Sequence, residues 1–242
     1  MLFLRFSEFH GRELYISNVV GGWLVFRHAD RCGDSMSGPR RSGGSWRARQ
    51  EKDPYVKLAR QAGWRSRAVF KLEQILEKEP MLRRDMVCID LGAAPGGWSQ
   101  YVAASLRERV RVIALDLLPM DTLPAVEFIQ GDFTDETILN RLVETLGDGR
   151  ADLVMSDLAP NISGNKAVDQ PKSMYLAELA LDMARQTLKR RGDFVCKLFQ
   201  GQGTDAFIAE ARRDFARVRT MKPKASRPAS SEVYLVARNY QL

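Results

Sequence analysis

The sequence predicts an α/β fold built on a mostly parallel sheet, and three observations support this. From residue 86 onward, short apolar runs alternate with segments of helical periodicity, which is typical of strand-helix-strand units. A Gly- and Ala-rich break at residues 92–97 follows the first apolar run. Four of the apolar runs lead into an aspartate. Because such units are joined by right-handed crossovers, a ligand site is expected at the carboxyl ends of the strands.

The individual elements are predicted from apolar spacing and capping residues. The pattern turns helical at Tyr55, and Ser66 is suited to begin a helix that buries Val69, Leu72 and Ile75. Further helices are expected at residues 97–107, 135–146, 172–190 and 205–214. Strands are expected at residues 86–91, 111–117, 126–130, 152–156, 193–198, 215–221 and 232–238, with a basic loop at 222–230.

The stretch from Cys88 to Gln100, Cys-Ile-Asp-Leu-Gly-Ala-Ala-Pro-Gly-Gly-Trp-Ser-Gln, is the candidate cofactor site. Its small residues let another molecule approach the backbone, and the helix that follows presents free N–H groups. The stretch is neither G-x-G-x-x-G nor G-x-x-x-x-G-K-[ST], since Pro95 fixes the turn and no Lys-Ser or Lys-Thr follows. A dinucleotide or ATP is therefore disfavoured. The alternative is an ordinary strand-to-helix turn.

Asp90, Asp116, Asp132 and Asp157 each end a successive strand, so all four are expected around one crevice. An acid after the second strand can bind ribose hydroxyls, and an acid after the third can accept from an exocyclic amine. Several carboxylates together also favour a cation. S-adenosylmethionine combines a sulfonium, a ribose and an adenine, and it meets all three demands. For any single aspartate, a helix cap or a turn is the alternative.

Composition excludes several kinds of chemistry. The chain has 242 residues, 45% of them apolar, which is enough for one good core. The two histidines, His10 and His28, both precede the main domain, which removes Ser-His-Asp and Cys-His catalysis and a zinc cluster from it. Cys32, Cys88 and Cys196 lie far apart, as reduced thiols of a cytoplasmic protein do. No apolar run is long enough to span a membrane.

The excess positive charge lies in one segment. Residues 36–67 contain nine Lys or Arg and two acidic residues, a net charge of +7 that equals the charge of the whole chain. Arginine binds phosphate and tryptophan stacks on bases, so this segment, with Trp46 and Trp64, is typical of a polyanion-binding arm. The alternative is a solvated, disordered leader. We expect an N-terminal extension at 1–35 that is disordered or precedes a true start at Met36, a basic flexible arm at 36–54, and one catalytic domain at 55–242.

Seven motifs lie between residues 66 and 234. They are SRAVFK (66–71), DLGAAPGGWSQYV (90–102), DLLPMD (116–121), QGDF (130–133), MSDLAPN (155–161), FQG (199–201) and SEVY (231–234). Together they resemble the FtsJ/RrmJ family of RNA methyltransferases, from about residue 55 to the C-terminus. The resemblance implies a class I S-adenosylmethionine-dependent methyltransferase domain, with a Rossmann-like sheet of seven strands, the last one antiparallel, and helices on both faces.

The same resemblance implies the site residues. The implied catalytic set is Lys71, Asp157, Lys197 and Glu232. A ribose 2′-hydroxyl is a weak nucleophile, so the enzyme must position it and remove its proton. We expect Lys197 to be the base, Asp157 to orient its ammonium, and Glu232 to hold Lys71 or Lys197. The implied cofactor contacts are Gly96, Trp98, Asp116, Asp132 and Asp157.

The resemblance also implies the reaction and the partner. Without a metal, S-adenosylmethionine would methylate the 2′-hydroxyl of a uridine in 23S ribosomal RNA, in the A loop of the peptidyl-transferase centre. The large subunit is expected to bind basic residues 40–67 and Lys222, Lys224 and Arg227, and the protein is expected to be a monomer. Two alternatives stay open: methylation of a tRNA anticodon loop, and a non-catalytic ribosome assembly factor. The intact catalytic set argues against the second.

Overall fold

A seven-stranded sheet carries the fold. The computed structural model describes residues 53–242, so the predicted extension at 1–35 and nearly all of the predicted arm at 36–54 lie outside the described residues. In chain order the elements are α1 (Pro54–Gln61), α2 (Val69–Lys78), β1 (Met86–Leu91), α3 (Gly97–Ser105), β2 (Val110–Asp116), β3 (Val126–Gln130), α4 (Glu136–Leu146), β4 (Ala151–Ser156), α5 (Lys166–Thr187), β5 (Leu188–Phe199), α6 (Thr204–Asp214), β6 (Phe215–Met221) and β7 (Glu232–Tyr240).

The strand order is β3-β2-β1-β4-β5-β7-β6, and the chain changes direction across the sheet between β1 and β4. Strands β1 to β5 pair in parallel, whereas β7 runs antiparallel to both β5 and β6. The expected seven strands with an antiparallel last strand are thus confirmed. Because the loops after β1 and β4 leave the sheet in opposite directions, they open a crevice at the carboxyl ends of these strands.

Helices cover both faces of the sheet because neighbouring strand residues point to opposite sides. Cys88 of β1 belongs to the apolar cluster that includes Leu72 of α2 and Trp98 of α3. The next residue, Ile89, belongs to the cluster on the other face, which includes side chains of α4, α5 and α6. Both faces of the sheet are therefore filled by core packing, and the strand ends are the place left for functional side chains.

Helix α5 begins at Lys166, six residues before its predicted start, and contains Pro171. Its N-terminus is capped by the Asn165 side chain, which accepts a hydrogen bond from the Ala167 N–H at 3.1 Å. Pro171 lies early in the helix, so it removes one intrahelical hydrogen bond without ending the helix. The predicted start at residue 172 was therefore wrong.

Strand β5 begins at Leu188, five residues before its predicted start. Leu188 pairs with Ala151 at the beginning of β4, and a register irregularity separates this pair from the rest of the ladder. In the sequence, the charged run at residues 189–191 is typical of the end of a helix. In the structure it is the exposed, irregular start of the strand.

The longest of the described helices is α5, with 22 residues, and it carries many polar side chains. Within residues 53–242, none of the helices combines the length and the apolarity that crossing a bilayer requires.

Candidate active site

The turn at residues 92–97, between β1 and α3, lies where the strand order reverses. Gly92 has a φ of +77°, and a Cβ on it would lie 2.9 Å from the Leu158 side chain and 3.1 Å from the Leu158 nitrogen. The turn is thus pressed against the loop that follows β4. The N–H groups of Gly92 and Ala93 donate to the Leu115 carbonyl at 2.9 and 3.2 Å, which ties the turn to β2 as well. A glycine is needed at position 92 because two backbones meet there.

Gly96 and Trp98 were both expected to contact the cofactor. In the structure, a side chain at position 96 would point into the protein, as the Trp98 side chain does. A Cβ on Gly96 would lie 2.8 Å from Met120 Sδ and 3.1 Å from Arg65 Nη1. The Trp98 side chain is buried, and its indole N–H donates to the Ala68 carbonyl at 2.8 Å. The Gly96 N–H already donates to the Ala93 carbonyl at 2.6 Å, and the Gly96 carbonyl accepts from the Gln100 N–H at 2.9 Å. Of these two residues, Trp98 is therefore the one that can offer a ligand a backbone N–H, because the first N–H groups of a helix lack intrahelical partners.

Arg65 clamps the same turn from the side of the loop between β2 and β3. Its Nη1 donates to the Asp121 carbonyl at 2.7 Å and to the Pro95 carbonyl at 3.3 Å, and its Nη2 donates to the Thr122 carbonyl at 2.8 Å. Its backbone N–H donates to Gln100 Oε1 at 2.9 Å. The sequence placed Arg65 among the RNA-binding cations. In the structure its guanidinium is occupied by holding two loops of the candidate site together, a role for which the sequence carries no signal.

Asp116 and Asp132 lie at the carboxyl edge of the sheet, as the sequence predicted. Asp116 accepts hydrogen bonds from the Ala94 N–H and the Leu118 N–H, each at 2.8 Å, so it contacts the turn directly. Asp132 is exposed, and one of its oxygens accepts from the N–H and the hydroxyl of Thr134 at 2.9 and 2.8 Å. Both residues form local turns. Carboxylate oxygens have further lone pairs, so both can also accept from a ligand.

Asp90 lies beneath the turn, and the expectation that it lines the crevice is wrong. Its side chain is fully buried and accepts a hydrogen bond from the Ser99 hydroxyl at 2.6 Å, while its Oδ1 has no partner among the described residues. Burial raises the pKa of Asp90 to about 7; the Ser99 hydrogen bond opposes this rise, and the carboxylates of Asp157 and Asp116 add to it. A substantial fraction of this carboxyl group is thus protonated at neutral pH.

Lys197 and Asp157 form the first ion pair of the site. Lys197 Nζ lies 3.2 Å from Asp157 Oδ1 and donates to the Asp157 backbone carbonyl at 2.7 Å. The Lys197 side chain is only 8% exposed and the Asp157 side chain 18% exposed. Lys197 stands on β5 and Asp157 directly follows β4, so the parallel pairing of these strands brings the two together. A buried charge requires a partner of opposite charge, and Lys197 and Asp157 are such partners for each other.

Lys71 and Glu232 form the second ion pair. Lys71 Nζ, on α2, lies 2.9 and 3.0 Å from the two carboxylate oxygens of Glu232, the first residue of β7. The Ser226 hydroxyl donates to Glu232 Oε1 at 2.7 Å. Of the two lysines that Glu232 was expected to hold, it binds Lys71. Two ammonium groups and two carboxylates thus leave the four-residue site electrically neutral.

Tyr234 joins the two ion pairs, and it had no role in the sequence-based prediction. Its hydroxyl donates to Asp157 Oδ1 at 2.7 Å, and the Lys71 ammonium lies 5.6 Å from its ring centroid. The other side of this fully buried residue meets the Trp98 ring, with 5.7 Å between centroids. A signal was available, because Tyr234 follows Glu232 by two positions and therefore shares its face of β7.

The charge state of Asp157 follows from its neighbours. Burial alone would raise the pKa of Asp157, but the ammonium groups of Lys197 and Lys71, together with the Tyr234 hydrogen bond, outweigh burial and hold this pKa below its usual range. Burial, with the nearby carboxylates, raises the pKa of Tyr234 well above its ordinary value. At neutral pH Asp157 is therefore a carboxylate acceptor and Tyr234 a protonated donor.

Some of the cations that were predicted to bind RNA are engaged within the protein. Arg67 forms an ion pair with Asp53, and Lys222 Nζ donates to two backbone carbonyls of its own loop at 2.7 and 3.2 Å. Lys224 and Arg227 are exposed. Residues 40–52 lie outside the described residues. A charge reversal at Arg67 would disturb the fold locally, so Lys224 and Arg227 are the better positions for testing contact with RNA.

A family model described as FtsJ-like methyltransferase matches residues 64–240, a range that includes the turn and all four residues of the two ion pairs. The chain belongs to the FtsJ-like methyltransferase family. Among the residues that the structure describes, no group of three or more His, Cys, Asp or Glu has an arrangement that could hold a metal ion.

Similar proteins agree with this assignment. The chain is 53% identical over 201 residues to "Ribosomal RNA large subunit methyltransferase E" of Dichelobacter nodosus. The aligned region covers 83% of this chain and 96% of that protein. A ribosomal RNA methyltransferase structure from Plasmodium falciparum is 29% identical with a TM-score of 0.67, over 73% of this chain and 98% of that one. Human methyltransferase-like protein 13, solved with SAH, is 13% identical with a TM-score of 0.51, over 71% of this chain and 80% of that one, and it shares the fold.

We expect the Arg65→Lys variant of this FtsJ-like methyltransferase to bind S-adenosylmethionine on the order of ten-fold more weakly, because one ammonium cannot bridge the carbonyls of two loops as a guanidinium fork does. Isothermal titration calorimetry measures this directly. The matched control is Arg60→Lys at an exposed position of α1, which should bind the methyl donor as the wild type does. Unchanged donor affinity with weaker RNA binding in Arg65→Lys would instead support the original assignment of Arg65 to RNA.

Proposed function

We propose that this chain transfers a methyl group from S-adenosylmethionine to the 2′-hydroxyl of a uridine in 23S ribosomal RNA of the large subunit, in the A loop of the peptidyl-transferase centre. One observation carries the proposal: two buried ion pairs, Lys197–Asp157 and Lys71–Glu232, meet through Tyr234 at the carboxyl edge of a methyltransferase sheet. The similarity to a large-subunit ribosomal RNA methyltransferase supports the choice of RNA.

The residues at this edge suit S-adenosylmethionine. When bound, it supplies a methyl group on a positively charged sulfur. Asp157 is an ionised, partly exposed carboxylate that suits a cation, and Asp116 and Asp132 have acceptor capacity for ribose hydroxyls and an adenine amine. Gly96 is the N-cap of α3 and Trp98 lies in its first turn, and an anionic group is favoured at this helix N-terminus.

Lys197 is proposed as the base. The Lys197 ammonium of the ion pair must first release a proton to solvent. The neutral amine then takes the proton of the 2′-hydroxyl as the oxygen forms its bond to the methyl carbon. The electron pair of the broken carbon–sulfur bond stays with sulfur. Positive charge then develops on Lys197, beside the Asp157 carboxylate at 3.2 Å. Because that carboxylate is already in place, stabilising the new charge requires no rearrangement.

Lys71 is proposed to stay protonated and to stabilise negative charge on the reacting oxygen. Glu232 contacts its ammonium with both carboxylate oxygens, and Ser226 fixes the carboxylate in turn. This arrangement leaves the Lys71 charge in a defined place at a modest exposure of 12%. Glu232 is thus a positioning residue for Lys71.

We propose that the protein acts as a monomer in the cytoplasm and reaches the large subunit through basic residues 40–67 and through Lys222, Lys224 and Arg227. Of the loop cations, the exposed Lys224 and Arg227 suit phosphate contacts best.

Transfer of labelled methyl groups to purified large subunits, naked ribosomal RNA and tRNA, assayed in parallel, tests the proposed function. We expect label in large-subunit ribosomal RNA and its recovery as 2′-O-methyluridine after digestion to nucleosides. Label found only in tRNA would support the anticodon-loop alternative. Donor binding without transfer to any of the three RNAs would support a non-catalytic assembly factor.

Two substitutions of Lys197 distinguish a role as the base from a role that needs only its positive charge. Both Lys197→Ala and Lys197→Arg should slow methyl transfer at least about a hundred-fold, because neither side chain can accept the hydroxyl proton near neutral pH. Calorimetry should show that both variants still bind S-adenosylmethionine. An active Lys197→Arg enzyme would mean that only the charge at this position matters, and it would remove Lys197 as the base.

A further inference from the structure

A cavity of about 810 Å³ lies beside the two ion pairs, and none of the residues assigned to the methyl transfer lines it. Its walls come from the loop after β4 with the first turns of α5, the loop after β5, and the loop before β7. The volume is within the range of pockets that bind small organic ligands. The cavity is therefore a candidate binding site next to the reacting groups.

The cavity lies close enough to Lys197 to hold the base of a nucleoside whose 2′-hydroxyl reaches the Lys197 amine. One wall is Phe199, two residues after Lys197 on β5, and Lys197 Nζ lies 6.0 Å from the Phe199 ring centroid. A second wall includes Ser231, the residue before Glu232, which itself pairs with Phe199 in the sheet. In a nucleoside, the base is attached to the carbon next to the one that carries the 2′-hydroxyl. A base whose hydroxyl reaches Lys197 must therefore lie within a few bond lengths of this residue.

The chemistry of the walls suits a flat heterocycle. Phe199 offers an aromatic surface, and stacking on aromatic side chains is the usual way in which unpaired bases are bound. Ile162 also lines the cavity with 59% of its surface exposed. Ala167 and Pro171 add further apolar wall.

The neighbouring smaller cavity suits a different part of the nucleotide. It has a volume of about 330 Å³ and is lined by Lys71, Glu232, Arg67 and Arg227. Ser230 lines both cavities, so the two adjoin. Its cationic side chains suit phosphate. Lys166 and Asp169 also line the larger cavity, but of the two cavities only the larger one has an aromatic wall, Phe199, so the larger cavity is the better place for the base.

The larger cavity is held in shape by hydrogen bonds within the protein. Asp169 accepts from the N–H and the hydroxyl of Ser163 and from the N–H of Gly164, at 2.8 to 2.9 Å, which fixes the loop after β4 onto α5. Gln170 Nε2 donates to the carbonyls of Phe199 and Gln202 at 3.0 Å each, which joins α5 to the loop after β5. A site fixed in advance loses less free energy on ordering when its ligand binds.

We propose that this cavity binds the base of the methylated nucleotide, a pyrimidine turned out of its stack and packed against Phe199. The inference rests on the proposed function, because it takes an RNA ribose as the methyl acceptor. It adds a specificity site: the enzyme selects its nucleotide by the base that fits beside Lys197, and phosphate contacts outside the cavity position the RNA.

Two neighbouring substitutions on α5 test the site. Ala167 and Val168 are both exposed, but only Ala167 is among the residues that line the cavity. Ala167→Phe should place a ring in part of the cavity, hinder entry of the base, and lower kcat/KM for large-subunit RNA about ten-fold or more, in line with the loss of one stacked base. Val168→Phe adds the same ring to the same helix turn and should leave kcat/KM within about two-fold of wild type, as surface substitutions usually do. Both variants should keep the wild-type affinity for S-adenosylmethionine.

The salt dependence of RNA binding distinguishes a base contact from a phosphate contact. Loss of a phosphate contact lowers the slope of log K against log salt concentration, whereas filling a base site leaves that slope unchanged. The proposal is overturned if the two variants have equal kcat/KM, or if Ala167→Phe lowers the slope. A wild-type enzyme that methylates no RNA would instead contradict the proposed function, so the two failures are distinguishable.

Discussion

The ionised carboxylate of Asp157 is the group on which the rest of the site depends. Burial opposes its charge, so the fold must supply compensating partners, and it does so from two neighbouring strands: the Lys197 ammonium from β5 and the Tyr234 hydroxyl from β7. Tyr234 in turn lies beneath the ammonium of Lys71, which Glu232 neutralises. Removing any one member would leave a buried charge or donor without its partner. The four residues expected from the sequence and the fifth that was not form one interdependent network.

Sheet topology explains why residues distant in the chain can form this network. The order β4-β5-β7 brings the end of β4 beside Lys197, and the antiparallel direction of β7 brings its first residue to the same edge. The order also reverses between β1 and β4, which places the turn at residues 92–97 against the loop that carries Asp157, with Gly92 touching Leu158. A methyl donor held by the turn and a hydroxyl held by the ion pairs would thus share one crevice. The glycine permits that approach.

What the sequence predicted and what it missed have a common physical cause. Strand β3 lies where its apolar run predicted it, and Asp116 lies at the strand end, because both follow from local pattern and from the parallel order of strands. Contacts between loops were missed. Arg65 reaches carbonyls more than fifty residues away, and nothing near it in the sequence indicates this. Asp90 was misplaced for a different reason: it lies two positions after Cys88 and so shares the face of β1 on which α3 packs, where its side chain turns toward Ser99 and away from the crevice. The start of α5 was missed because Asn165 caps a helix in which Pro171 is tolerated.

The measurement that tests this account most directly is the single-turnover rate of methyl transfer by Asp157→Asn, with S-adenosylmethionine and RNA both saturating. Asparagine keeps the shape of the side chain and removes the charge that compensates Lys197 and Lys71. The account predicts a rate at least about a hundred-fold below wild type in a protein that still unfolds cooperatively, in line with the usual contribution of a positioned proton-transfer group. A folded Asp157→Asn enzyme whose rate stays within about three-fold of wild type would contradict the account, since the carboxylate could then not be the group on which the site depends.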